Sequence, residues 1–136
     1  MTEKSDDQFT GQGARRMDAI AKGPFAPIYP TIARQILDTC RIREGRCVDI
    51  GCGPGHLAMA LAAVSDLAID ALDASTDMLS IARRNLQDAG LIGRVRPVCG
   101  DVHNLPYADG SIDLIVSRGS LFFWDDRVRA FSEIAR

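Results

Sequence analysis

The chain has 136 residues, 46% of them hydrophobic and 25% charged, the make-up of one ordinary globular domain with its own core. A net charge of −2 and an isoelectric point near 5.6 supply no broad positive field for a polyanion, so nucleic acid is disfavoured as substrate or partner. No apolar run is long enough to span a bilayer, and the polar, acidic residues 1–12 are unlike a signal peptide.

Residues 1–23 are polar, carry Gly11, Gly13 and Gly23 and lack clear periodicity, so they read as a flexible N-terminal arm with a short helical turn around residues 15–21. A connector with prolines at 24, 27 and 30 follows, and Pro30 suits the first turn of a helix over about 31–42 that places Ile32, Ile36, Leu37 and Cys40 on one face. The first strand is expected over 46–50. Glycines at 51, 53 and 55 then lead into a helix over about 56–64. A second strand over 68–72 ends at Asp73, and Ser75 is placed to cap a helix that runs to Ala89 and stops at Gly90. Met78, Ala82, Leu86 and Ala89 give that helix an apolar stripe. Residues 95–99 read as a third strand in which Pro97, lacking an N–H, requires an edge position. A fourth strand is expected over 112–116, and residues 126–136 show apolar side chains at helical spacing. Alternating strands and helices predict an α/β fold with a doubly wound parallel sheet. The cysteines at 40, 47, 52 and 99 form no C-x-x-C pair; two fall in expected strands and one in the glycine turn. Buried free thiols are therefore expected rather than disulfides or a metal site, which suits a reducing cytoplasm.

The most informative stretch is Val48-Asp49-Ile50-Gly51-Cys52-Gly53-Pro54-Gly55. An apolar strand ends beside an acid, and glycines then recur at every second position. Such a turn lets a ligand approach backbone amides without Cβ interference, at the start of a helix. The spacing G-x-G-x-G, with Asp49 before it, Asp73 and Asp101 after it and an apolar strand after those, resembles the class I S-adenosylmethionine (SAM)-dependent methyltransferases. The resemblance covers about residue 25 to the end, and a methyltransferase domain is expected over 24–136. It implies a Rossmann-like sheet of order 3-2-1-4-5-7-6, in which the third strand is indeed an edge. Because the chain stops inside its last helix, where the family continues to an L-x-P-G-G turn and three further strands, the expectation is a domain lacking strands 5 to 7.

The resemblance also implies site roles at the carboxyl ends of the strands, where open parallel sheets bind ligands. Gly51, Gly53 and Gly55 would approach the methionine part of SAM, with Asp49 binding its amino group directly or through water. Asp73, whose two oxygens can accept two hydroxyl donors, would take the ribose. Asp101 and the Val102 amide would read the adenine, against the plainer reading of an Asx-type turn. Ala74 and Ser117 complete the expected cofactor contacts. Met78 either packs on the adenine or belongs to the core stripe.

No catalytic residue can be assigned from the sequence; His103 is a better base candidate than His56, and the chemistry itself rests mainly on alignment. Phe122, Phe123 and Trp124 either line an acceptor pocket or anchor the following helix. The absence of an N/D-P-P-Y/F signature points away from amide- and base-nitrogen targets and toward a small-molecule acceptor, in a layout similar to the ubiquinone/menaquinone-biosynthesis branch. Tyr29 and Arg15 or Arg16 are candidates to close over the cofactor. Two other readings stay open: an NAD(P)-binding oxidoreductase domain, and a shortened, inactive SAM-binding fragment.

Overall fold

The computed structural model describes residues 9–136; the first eight residues of the expected arm lie outside the described residues. Two helices, α1 (Gly11–Lys22) and α2 (Ile28–Cys40), lead into strand β1 (Glu44–Ile50). Then follow α3 (His56–Ala63), β2 (Asp66–Asp73), α4 (Thr76–Asp88), β3 (Val95–Cys99), β4 (Leu114–Val116), a 3-10 turn (Leu121–Phe123) and α5 (Arg127–Ala135). The four strands form one parallel sheet in the order β3-β2-β1-β4. This is the Rossmann-like α/β arrangement expected of the first four strands.

Alternation along the strands decides which face each helix covers. Cys47 in β1 and Leu67, Ile69 and Ala71 in β2 pack with Leu37 of α2, Leu57 and Leu61 of α3 and Leu86 of α4. Val48, Ile50 and Leu72 face the other way and meet Val102, Leu105 and Ala130. Burying each such leucine removes a whole side chain from water and contributes about 1.5–3 kcal/mol. Three helices therefore cover one face of the sheet, while α5 and the loop before β4 cover the other.

Local chemistry sets the element ends. The Ser75 hydroxyl accepts the Met78 N–H at 3.2 Å, capping α4 as its sequence position requires. Asp126 caps α5 by accepting the Arg129 N–H at 3.0 Å. Pro97 lies opposite Ala71 on the edge strand β3, where its missing donor breaks no ladder.

Several expectations need correction. Residues 11–22 are not a flexible arm holding one turn but a full helix. Its Gly11 N–H donates to Asp77 Oδ2 at 2.7 Å, and Ala14 and Ala21 are buried, so tertiary docking overrides poor local propensity. Helix α2 begins and ends earlier than its apolar stripe suggests, and its end is set by Arg41, which adopts a left-handed φ of 58°. Strands β1 and β2 both start two residues early, since Glu44 pairs with Asp66 despite their exposed charges. Strand β4 is only three residues long; ahead of it Asp113 turns its carboxylate onto the Arg46 N–H at 2.8 Å. All four cysteines are free, but only Cys47 and Cys52 are buried. Cys99 is exposed on the edge strand and Cys40 at the end of α2.

Candidate functional site

The glycine turn is built from the end of β1 outward. The N–H groups of Gly51 and Cys52 both donate to the Leu72 carbonyl, at 2.8 and 3.0 Å, which ties the turn across the end of β2. Gly51 has φ +69°, and a Cβ there would lie 2.5 Å from the Cβ and Oγ of Ser120, so no other residue fits. Gly55 also has a positive φ, +92°, but its missing Cβ faces Ala82 at 3.4 Å. That glycine serves the close approach of α3 to α4 and does not line the cavity described below.

Asp73 closes the turn from the neighbouring strand. Its Oδ2 accepts the Gly53 N–H at 2.9 Å and its Oδ1 accepts the Ser75 N–H at 2.8 Å. Each oxygen retains a further lone pair for a hydroxyl donor. At the end of β3, Asp101 Oδ1 accepts both the His103 N–H at 2.9 Å and the His103 ring at 2.7 Å, while Oδ2 keeps its lone pairs. These bonds hold the Asp101 carboxyl below its ordinary range, first through the His103 backbone amide and against a smaller opposing effect of burial.

The two histidines are committed elsewhere. His103 Nε2 accepts the Asp126 N–H at 3.1 Å, so the ring carries its proton on Nδ1 and braces Asp101 against the cap of α5. His56 Nε2 meets Asp18 Oδ1 at 2.8 Å and its ring packs 5.6 Å from that of Tyr29. Asp18 also accepts from Asn85 Nδ2 at 2.9 Å, and the same amide group donates to the Pro54 carbonyl at 3.0 Å. Helix α1 is thereby locked to the back of the glycine turn.

These elements enclose one cavity of about 660 Å³ at the carboxyl ends of the strands. Of the residues singled out in the sequence, Gly51, Gly53, Asp73, Ala74, Asp101 and Val102 line it, with Met78 and His103. Met78 is fully buried as well, so it belongs both to the core and to the cavity wall. Ser117 does not line the cavity; its hydroxyl donates to the Ile50 carbonyl at 2.8 Å and joins Ser120 at 3.2 Å.

Asp49 lies beneath the turn, 2% exposed, and its Oδ2 has no hydrogen-bond partner among the described residues. Burial, and secondarily the charge of Asp73, pushes its carboxyl up to about 8. A buried, unpartnered carboxylate oxygen near a second acid is an environment for a cationic or N–H-bearing ligand group.

Phe122, Phe123 and Trp124 all line the cavity, and Trp124 is also the one of the three that anchors the following helix. Its indole N–H donates to Ser120 Oγ at 2.9 Å and its ring meets Phe131 of α5 edge-on at 5.8 Å. Closure from the N-terminal side comes from Phe9 and Met17, not from Arg15 or Arg16, which are exposed and away from the cavity. Phe9 packs edge-on against Phe123 at 4.8 Å, and its carbonyl accepts the Ser75 hydroxyl. Nothing in the local pattern of residues 9–17 signals this, because the contact depends on how α1 docks. Among the described residues no group of three or more His, Cys, Asp or Glu could hold a metal ion, and no helix is long and apolar enough to cross a membrane.

A family described as methyltransferase domain matches residues 48–136. The solved structure of a Methanococcus maripaludis protein, described as S-adenosyl-L-methionine-dependent methyltransferase, superposes with a TM-score of 0.93 at 54% identity. That match covers 94% of this chain and 58% of the other. Methyltransferase GfsG of Streptomyces halstedii is 31% identical over 114 residues, 83% of this chain and 41% of GfsG. A malonyl-[acyl-carrier protein] O-methyltransferase of Methylovorus is 35% identical over 104 residues, 74% of this chain and 35% of that enzyme. The chain spans between 35% and 42% of the length of these curated relatives and others like them.

Proposed function

We propose that this chain, which belongs to the family of SAM-dependent methyltransferase domains, binds SAM in the cavity at the strand ends and serves methyl transfer to a small-molecule acceptor. The observation that carries the reading is the meeting in one cavity of three separate segments: the glycine turn, Asp73 at the end of β2, and Asp101-Val102 past β3. Their chemistry fits the ligand. Asp73 offers lone pairs to vicinal hydroxyls, and Asp101 Oδ2 offers them to an exocyclic amine. The orphaned Oδ2 of Asp49 suits the positive end of an amino acid.

When bound, SAM supplies a methyl group on a sulfonium leaving group, displaced in line by the acceptor. The chain's own residues bind and orient. The bonds from Gly51, Cys52 and Gly53 to Leu72 and Asp73 fix the turn before any ligand arrives, so little ordering remains to be done on binding. Phe9, Met17, Phe122 and Phe123 give one side of the cavity an apolar wall. His103 is not needed as a base in this reading, because its Nε2 already holds the Asp126 amide. The aromatic wall supports an apolar or planar acceptor. A cytoplasmic setting belongs to the same reading and is supported by four free thiols, two of them exposed.

The test is calorimetric titration of S-adenosylhomocysteine into the chain, with Asp101→Ala as the control variant, since Asp73 also pins the turn. Micromolar binding that weakens in the variant, with NADH giving no heat, supports the reading. A cooperatively melting chain that binds NADH and not S-adenosylhomocysteine would sink it.

A further inference from the structure

Resting on that reading, we infer that Arg118 is the residue that binds the carboxylate of the cofactor's amino-acid tail, as Asp49 would take its ammonium. The charged side chains lining the cavity are Asp73, Asp101, Asp125 and Arg118, so among the described lining residues Arg118 is the one Lys or Arg. An α-amino acid is a zwitterion and needs an anion facing its ammonium and a cation facing its carboxylate. The cavity supplies acids in excess and this single cation.

Position and availability point the same way. Arg118 follows β4 by two residues, and Val116 of β4 is the register partner of Asp49 in β1, so both charges belong to the same end of the β1–β4 pair. Ser120, two residues further on, packs directly on Gly51. The Arg118 guanidinium lies 5.4 Å from the centre of the Tyr29 ring, and that ring packs on His56, the first residue after the glycine turn. Stacking on an aromatic face orients the guanidinium plane without consuming its N–H donors. Arg43, Arg96 and Arg136 each pair with a carboxylate of this chain, whereas Arg118 forms no ion pair among the described residues. A planar fork held against the turn, with its donors unspent, is suited to bidentate binding of a carboxylate.

The experiment compares two ligands. S-adenosylhomocysteine carries the amino-acid tail; 5′-methylthioadenosine keeps the adenosine and the thioether but lacks it. Both are titrated calorimetrically into the wild-type chain, Arg118→Gln and Arg118→Lys, after melting curves establish that the variants fold. Arg118→Gln is expected to weaken S-adenosylhomocysteine by about 10- to 100-fold and to leave methylthioadenosine within about 2-fold, with Arg118→Lys between. Equal losses for both ligands, or no loss for either, would overturn the assignment. A folded wild-type chain that binds neither ligand would remove the SAM-site reading itself, and the assignment with it.

Discussion

Replacing Asp49 by asparagine should make the ligand-free chain more stable and a poorer binder. The carboxyl is 2% exposed, its Oδ2 lacks a partner, and burial beside Asp73 raises its pKa to about 8. An unfolded aspartate titrates near 4. Between those values the folded state holds a proton that the unfolded chain has released, so stability falls as pH rises through the window. The slope is about 1.4 kcal/mol per pH unit, which amounts to a loss of about 4 kcal/mol at pH 7 relative to pH 4. Asparagine does not ionise and escapes that loss, but an amide left without partners at the same place costs about 1–3 kcal/mol. The net gain expected for Asp49→Asn at pH 7 is therefore about 1–3 kcal/mol, turning into a net loss of about 0–2 kcal/mol at pH 5 and growing larger at pH 8. Urea unfolding of both proteins at pH 5, 6, 7 and 8 measures it. The stability gap should widen by about 1.4 kcal/mol per unit up to pH 7 and by less as pH nears the folded pKa. A gap that stays constant with pH would refute the reasoning, because it would mean that the carboxyl ionises freely in the folded chain. Calorimetry on the same variant should show S-adenosylhomocysteine binding weakened by at least about 10-fold.

The same titration has a second consequence: an ammonium group favours ionised Asp49, so S-adenosylhomocysteine should release a proton on binding between pH 6 and 8 and bind more tightly as pH rises. Calorimetry in buffers of different ionisation enthalpy counts that proton, and methylthioadenosine should show none. Gly51→Ala places a Cβ 2.5 Å from the Ser120 side chain at a φ of +69°. It should lower stability by about 1–3 kcal/mol and abolish nucleoside binding, as read by melting curves and titration. Asp18→Ala removes the partner shared by His56, Asn85 and Lys22. Hydrogen exchange should accelerate over Gly11–Lys22 and not over β1 or β2, and ligand affinity should fall because Phe9 and Met17 lose their seat.

Features that depend on the chemistry of one residue were legible in the sequence. Pro97 can only sit at an edge, and β3 is the edge. Ser75 can only cap, and it does. Asp73 at the end of β2, Asp101 after β3, and Gly51 and Gly53 after β1 line one cavity because parallel strands deliver their carboxyl ends to one side of the sheet. What escaped depends on distant partners. Helix α1, with Gly11 and Gly13 in its first turn, has a case for helicity only after Asp77, His56 and Asn85 are brought to it. In the motif Gly51 and Gly55 look alike, yet one touches Ser120 and the other Ala82, and only the fold separates a ligand-facing glycine from a packing one. Arg118 and Ser120 carry no motif; the register of β4 against β1 brings them to the turn.

The polar groups of the site fall into two kinds, and the division matches the two halves of the proposed ligand. On the nucleoside side, Asp73 and Asp101 are already bonded to backbone amides and to His103, with lone pairs to spare. These groups are fixed whether or not a ligand is present, so their contribution to binding needs little reorganisation. On the amino-acid side, Asp49 has an orphaned oxygen and Arg118 has donors without an acid to meet. The buried Asp49 oxygen leaves the ligand-free chain less stable than it would otherwise be, while the exposed Arg118 is solvated, and a zwitterion meets both at once. Affinity for the nucleoside should therefore respond mainly to the geometry of the turn, and affinity for the tail mainly to charge. A ligand lacking the tail would bind the rigid half and leave Asp49 protonated and the instability in place.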